Sequence, residues 1–529
     1  MTAFTGTLTM VRLILRRDRI RLPVWIVAIV GIVYASAGAV QGLYDTPAKQ
    51  ALYDQTVGSS GATIAMSGPP VALDTVGGIT VYEVSISAII AITLMAIFLV
   101  VRHTRGDEEA GRTELLLAGV LGRHAPTAAT AIVVGAACVV IGLGITGSFL
   151  SFDLAATSSL LFGASITAVG VIFVGFALVA AQVTEHARGA TGLGLAALGV
   201  AFVLRAIGDV ADSWISFLSP IGWTQQVSAF GDERWWPLLL TLGATCALGV
   251  LAGCLVRHRD VGAGLVAPRP GPPNASTGLA RPSGLAFRLQ RAGLLGWLAG
   301  MAVLGVAFGS LGQDVQDMLE GNPDLRDAIT RAGGASLVDS YYAMILMISA
   351  LIATGFTLAS VLRIRSEEVG GRVESLLATP LSRYAWSLGS LLVTLFGTVL
   401  ILVTTGVGTG LTHALVTGDS GKGWQLTAGS LAYLPAMLVL GGFAFLLVGW
   451  VPRAAVAAWG ILAVCVVIGW LGELLSLPDW LMDLSPYTQS PQLPMTDMSW
   501  TPVVVMTVVA AAFTLIGALG LRRRDIMTT

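Results

Sequence analysis

Two clusters of acidic and basic residues stand out in a chain that is otherwise poor in charge. The first reads Asp107-Glu108-Glu109-Ala110-Gly111-Arg112-Thr113-Glu114-Leu115-Leu116-Leu117-Ala118, followed by Leu121 and Arg123. The second, displaced by 260 residues, reads Glu367-Glu368-Val369-Gly370-Gly371-Arg372-Val373-Glu374-Ser375-Leu376-Leu377-Ala378, followed by Leu381 and Arg383. Carboxylates and guanidiniums at this density do the chemistry of ion pairing. Glu108 to Arg112 and Glu368 to Arg372 are spaced i,i+4 in the favoured order, and acidic residues at the start of a helix complement its dipole. Leu116, Leu117 and Leu121, like Leu376, Leu377 and Leu381, give the next stretch an apolar side that can rest on protein or the lipid boundary. The spacing predicts a short helix at the membrane surface in each copy. A solvated charged loop is the plainer reading of one copy, and recurrence argues against it.

Few other residues offer chemistry. Arg205 and Asp209, spaced i,i+4 in an apolar run, read either as a local ion pair or as lining of a substrate path; Glu473 has no local partner and is the better pathway candidate. Glu83 stands near the outer end of another run. His103, His124, His186, His258 and His413 form no metal-ligand spacing and no catalytic set with Ser or Asp, which argues against an enzyme active site. Cys138, Cys246, Cys254 and Cys465 all sit in apolar stretches without paired spacing and read as small buried apolar residues.

The elements that must position these groups are membrane helices. With 55% hydrophobic and 12% charged residues in 529, the chain lies outside the balance of soluble domains. A bilayer core about 30 Å thick needs roughly 20 apolar residues per helix. Such runs predict twelve spans, near 23–43, 80–101, 126–150, 157–183, 190–209, 238–256, 291–311, 339–362, 385–415, 427–450, 455–475 and 501–521. Their length excludes a β-barrel, whose strands alternate over about ten residues. The expected class is an all-α polytopic membrane protein. The Arg-rich N-terminus before the first run reads as the flank of a retained span rather than a cleaved signal.

With both termini on one side, 24 of the 30 Lys and Arg residues fall on that side, which the positive-inside rule makes cytoplasmic. A Pro/Gly-rich linker at 262–285 separates a first six-span unit, 1–261, from a second, 286–529. Landmarks besides the charged loops recur in order: Trp25 and Trp297, Arg188 and Arg453, Ser219-Pro220 and Ser485-Pro486, and the closing Arg257-His258-Arg259-Asp260 against Arg522-Arg523-Arg524-Asp525. Six being even, the repeats run parallel. Leu8 to Arg21, and Leu285, Phe287 and Leu289 with Arg288 and Arg291, read as interfacial helices or as topogenic charge. Trp214, Trp223, Trp235, Trp236, Trp480 and Trp500 suit an aromatic belt with short helices at the outer mouth.

This layout resembles the permeases of ABC-type exporters of the second type, in which a Glu-rich, Gly-containing, Leu-Leu-Ala/Thr-Pro-like segment follows the second span of each six-span unit, a pattern from which the first copy departs. It looks most like the fused two-unit permeases of actinobacterial antibiotic and multidrug exporters. The resemblance implies that 107–118 and 367–378 are coupling helices docking on ATPase subunits, through Glu108, Glu109, Arg112, Glu114, Glu367, Glu368, Arg372 and Glu374. Gly119-Val120 in the first copy replaces Thr379-Pro380 in the second, which puts the equality of the two docking sites in doubt. No phosphate-binding Gly-x-x-x-x-Gly-Lys-Ser/Thr motif is present, since neither Lys49 nor Lys422 lies in one. The chain is therefore expected to bind no cofactor itself, with ATP and Mg on two copies of a separate ATPase subunit. The expected function is export of amphipathic, drug- or lipid-like compounds across the bacterial plasma membrane by alternating access. A twelve-span ion-coupled secondary transporter is the alternative, a lipid-modifying membrane enzyme a third. A net charge of −1 argues against a nucleic-acid partner.

Overall fold

The computed structural model describes residues 3–57, 61–119, 121–266, 271, 273–320, 337–471 and 478–525. Every regular element among them is helical. The chain divides into two units, Met1–Gly271 and Pro272–Thr529.

In the first unit a surface helix, α1 (Thr7–Arg17), precedes the first span, α2 (Arg21–Leu43). Two shorter helices, α3 (Pro47–Val57) and α4 (Gly61–Ser67), lead to the second span, α5 (Val76–His103). Thr75 starts α5 by accepting the Gly78 backbone N–H at 3.0 Å, which satisfies one of the orphan donors of a helix start. Two short helices follow, α6 (Arg105–Glu109) and α7 (Arg112–Leu117), and then α8 (Ala125–Leu150), α9 (Ala156–Val183), α10 (Ala187–Val210), α11 (Pro220–Gln225) and α12 (Pro237–Arg257). The second unit runs α13 (Pro282–Glu320), α14 (Leu337–Val369), α15 (Arg372–Leu377), α16 (Arg383–Thr417), α17 (Ser420–Ala432), α18 (Leu434–Trp450), α19 (Ala457–Leu471), α20 (Asp479–Met482) and α21 (Trp500–Arg523).

Eleven of the twelve expected spans contain helix long and apolar enough to cross a membrane, one of them formed jointly by α17 and α18, which bend at Tyr433 before Pro435. The remaining span, 455–475, contains the 15 residues of α19, and Glu473 lies outside the described residues. Ala187, Pro237 and Arg383 begin their helices within a few residues of the expected starts. Two expectations need correction. Leu285, Phe287 and Leu289 belong to no separate interfacial helix, because α13 starts at Pro282, a residue suited to a first helical turn, and continues through them without a break. Cys138 and Cys465 are buried, but Cys246 and Cys254 are exposed, because only a narrow face of α12 packs on its unit.

The units bury the same spans. Within the second and fourth spans, 67% and 67% of the apolar window is buried in the first unit, and 78% and 61% in the second. The sixth spans, by contrast, are 17% and 22% buried, leaving outward apolar faces suited to lipid. Close helix crossings use small residues. At one of them a Cβ on Gly449 of α18 would lie 2.1 Å from the Gly517 carbonyl oxygen of α21. Gly449→Leu therefore forces these helices apart and is expected to lower stability by about 1–3 kcal/mol. Gly460→Leu on α19, where nothing lies within 4 Å, serves as the tolerated comparison in a melting series of purified protein.

Candidate functional site

In each unit the chain turns sharply at one glycine. Gly111 and Gly371 adopt φ of 68° and 70°, a left-handed conformation that costs glycine least, and each starts the short helix that follows it, α7 or α15. Thr113 and Val373 point inward and anchor these helices, whereas Arg112, Glu114, Arg372 and Glu374 face outward.

The glycine turn overturns one expectation. Glu108 does not pair with Arg112, nor Glu368 with Arg372, because the left-handed residue between them breaks the helical register that i,i+4 pairing requires. Each glutamate instead turns into its unit. The Glu108 carboxylate accepts from Arg105 at 2.8 Å and from both terminal nitrogens of Arg259 at 2.6 and 2.9 Å. Glu368 is held by Arg365 at 3.0 Å and by both terminal nitrogens of Arg524, Nη2 at 2.7 Å. Arg105 and Arg365 occupy matching positions before the loop; Arg259 and Arg524 close the two units. The backbone joins in the same way, with Arg123 donating to the Arg259 carbonyl and Arg383 to the Arg524 carbonyl, the latter at 2.7 Å. A four-part clasp thus occurs once per unit, with corresponding residues in each role. Arg105 also donates to the Ala181 and Ala263 carbonyls at 2.5 and 2.7 Å, so its buried guanidinium is well supplied with acceptors.

Outside the clasp the units differ. Asp107 takes a two-point bond from Arg17 at 2.6 and 3.0 Å and another from Arg112 at 2.8 Å, tying α1 to the loop. The hydrogen bond to Asp107 raises the Arg17 pKa above its usual value. Asp18 sits 2.5 Å from His103 and 3.3 Å from Arg102, and Met10 and Ile14 of α1 are buried. In the second unit Glu367 pairs with Arg363 at 3.0 Å. Glu109 accepts the Ala187 backbone N–H at 2.7 Å at the start of α10, where a carboxylate complements the helix dipole. Burial, with Arg257 and Arg123 nearby, lowers the His124 pKa below the usual imidazole range and favours its neutral form.

The model of the family of multidrug efflux system permease Rv1217c, C-terminal domain, matches residues 9–257 and 279–522, stretches that contain both charged loops. The chain belongs to this permease family. It is 36% identical to the multidrug efflux system permease protein Rv1217c of Mycobacterium tuberculosis over 529 residues, covering 99% of this chain and 96% of the relative. As a family member it is the membrane-spanning permease subunit of an exporter.

Within this permease Arg205 and Asp209 lie 3.6 Å apart and are both buried. Arg205 also donates to the Ile64 and Met66 carbonyls at 3.2 and 3.1 Å and lies over the Phe202 ring at 4.6 Å, while Ser216 donates to Asp209 at 2.5 Å. These contacts fasten α4 and the chain after α10 to the end of that helix. His413 is hydrogen-bonded to Tyr342 at 2.7 Å. Sequence reasoning missed the Arg partners of Glu108 and Glu368, although Arg259 and Arg524 recur in step with the loops and so carried a usable signal.

Proposed function

We propose that this chain is the permease of an ATP-binding-cassette exporter and that its α7 and α15 loops each dock on one copy of a separate ATPase subunit. ATP and Mg bind on those subunits, the termini and loops face the cytoplasm, and the cargo is an amphipathic or hydrophobic compound. The observation that supports this most is the duplicated clasp. It fixes the base of a short helix in each unit while leaving a matching Arg and Glu, Arg112 with Glu114 and Arg372 with Glu374, exposed for a partner. Gathering two cations on one carboxylate at each loop, nearly enclosed in the first unit and part-buried in the second, suits helices that bear load. The Rv1217c relative is itself named a multidrug efflux permease.

Two measurements test the reading. Tagged permease isolated gently from native membranes is expected to bring down a P-loop ATPase at two copies per permease. Inverted vesicles are expected to accumulate an amphipathic dye only with hydrolysable ATP. Uptake that follows a proton gradient and ignores ATP would instead establish the ion-coupled alternative.

A further inference from the structure

The clasp joins segments about 150 residues apart in the chain, the loop after the second span and the end of the sixth. The helices themselves take other partners: α12 packs on α9 and α11, and α21 on α18 and α16. The ion pair is therefore a direct bridge from the coupling loop to a span that its own second span does not pack along. An Arg fork gripping a carboxylate at two points fixes angle as well as distance, and the Arg123 and Arg383 contacts hold the backbone of the same arginine. What recurs between the units is informative as well. All four clasp roles are repeated, whereas the neighbouring acidic position pairs with Arg17 and Arg112 in one unit and Arg363 in the other. The four parts are thus kept in both units where the surroundings diverge.

We propose that Arg259 and Arg524 are positioning residues that link each coupling loop to the sixth span of its own unit, so that the clasps set how much cargo moves per ATP hydrolysed. This rests on the exporter reading above. The test uses the full permease with its co-isolated ATPase in proteoliposomes, with ethidium as the probe cargo. Arg259→Ala with Arg524→Ala is expected to lower ethidium moved per ATP by about fivefold or more, with ATP hydrolysis and subunit association held within about twofold. Arg523→Ala, at an exposed residue outside the clasp, is the control. If the alanine variant does not accumulate, Arg259→Lys with Arg524→Lys, which keeps the charge and loses the fork, is scored by the same ratio and is expected to lower it. An unchanged ratio, or a proportional fall of transport and hydrolysis together, overturns the link while leaving the exporter reading intact. Failure of the unaltered complex to move ethidium with ATP sinks that reading and this proposal with it.

Discussion

Glu108→Ala is expected to destabilise the first unit by about 3–5 kcal/mol, the usual cost of stripping one partner from a buried ion pair. The size follows from what is left behind. Arg105 and Arg259 are 0% and 7% exposed, so removing the carboxylate leaves two like charges facing each other with little water to screen them. Glu368→Ala removes the same group in the second unit, but Arg365 and Arg524 are 22% and 15% exposed and can turn toward solvent. Its cost is expected to be smaller, near the 1.5–3 kcal/mol or so of a charged hydrogen bond. The cysteines provide a readout for each unit. With Cys246 and Cys254 replaced by Ser, buried Cys138 reports opening of the first unit and buried Cys465 that of the second. Thiol labelling during a thermal ramp should therefore expose Cys138 well below its normal temperature in Glu108→Ala, and shift Cys465 less in Glu368→Ala. Equal shifts would mean that burial of the arginines does not set the cost.

The sequence made the spans legible because apolar runs of membrane length have few other uses, and their ends fell close to Ala125, Ala156 and Trp500, where helices begin. The loops were legible because a repeat at a fixed offset singles out what both units keep. The partners within them were not. An i,i+4 Glu and Arg look paired on any helix, and the pairing fails only because Gly111 and Gly371 take the left-handed turn between them. Which acid faces inward was equally hidden: Glu108 and Glu114 are both charged, and the turn sends one into the unit and leaves the other outside. The informative clue was the closing arginines, because a buried glutamate in each loop requires a cation, and Arg259 and Arg524 recur at the end of each unit. Arg205 shows the reverse limit. Spacing suggested Asp209 but could not reveal the Ile64 and Met66 carbonyls, which come from a helix about 140 residues earlier.

The inward and outward glutamates should also separate stability from coupling. Glu114→Arg with Glu374→Arg places new charge on exposed helix faces, where substitutions rarely change stability by more than about 0.5 kcal/mol. Such a variant is expected to accumulate in the membrane and to melt like the parent. If α7 and α15 meet the ATPase subunits as proposed, each reversal puts a like charge against whatever complements the glutamate, and a loss of about 1.4 kcal/mol per face weakens docking roughly tenfold. ATP-dependent dye uptake and co-isolated ATPase should then fall together, and added salt should narrow the difference from the parent by screening the repulsion. Reversing one face at a time tests the equality of the two sites. Leu115, 79% exposed in the first unit, stands where the second has Ser375, so the first face offers a partner more apolar area. Arg112 is also tethered to Asp107 in the first unit, which positions that face before any partner arrives. Glu374→Arg is therefore expected to weaken docking more than Glu114→Arg, because the first face keeps its leucine and its tether when the charge is lost. The opposite ranking would mean that charge alone governs the contact. Uptake unchanged by both reversals would remove these helices from the coupling path.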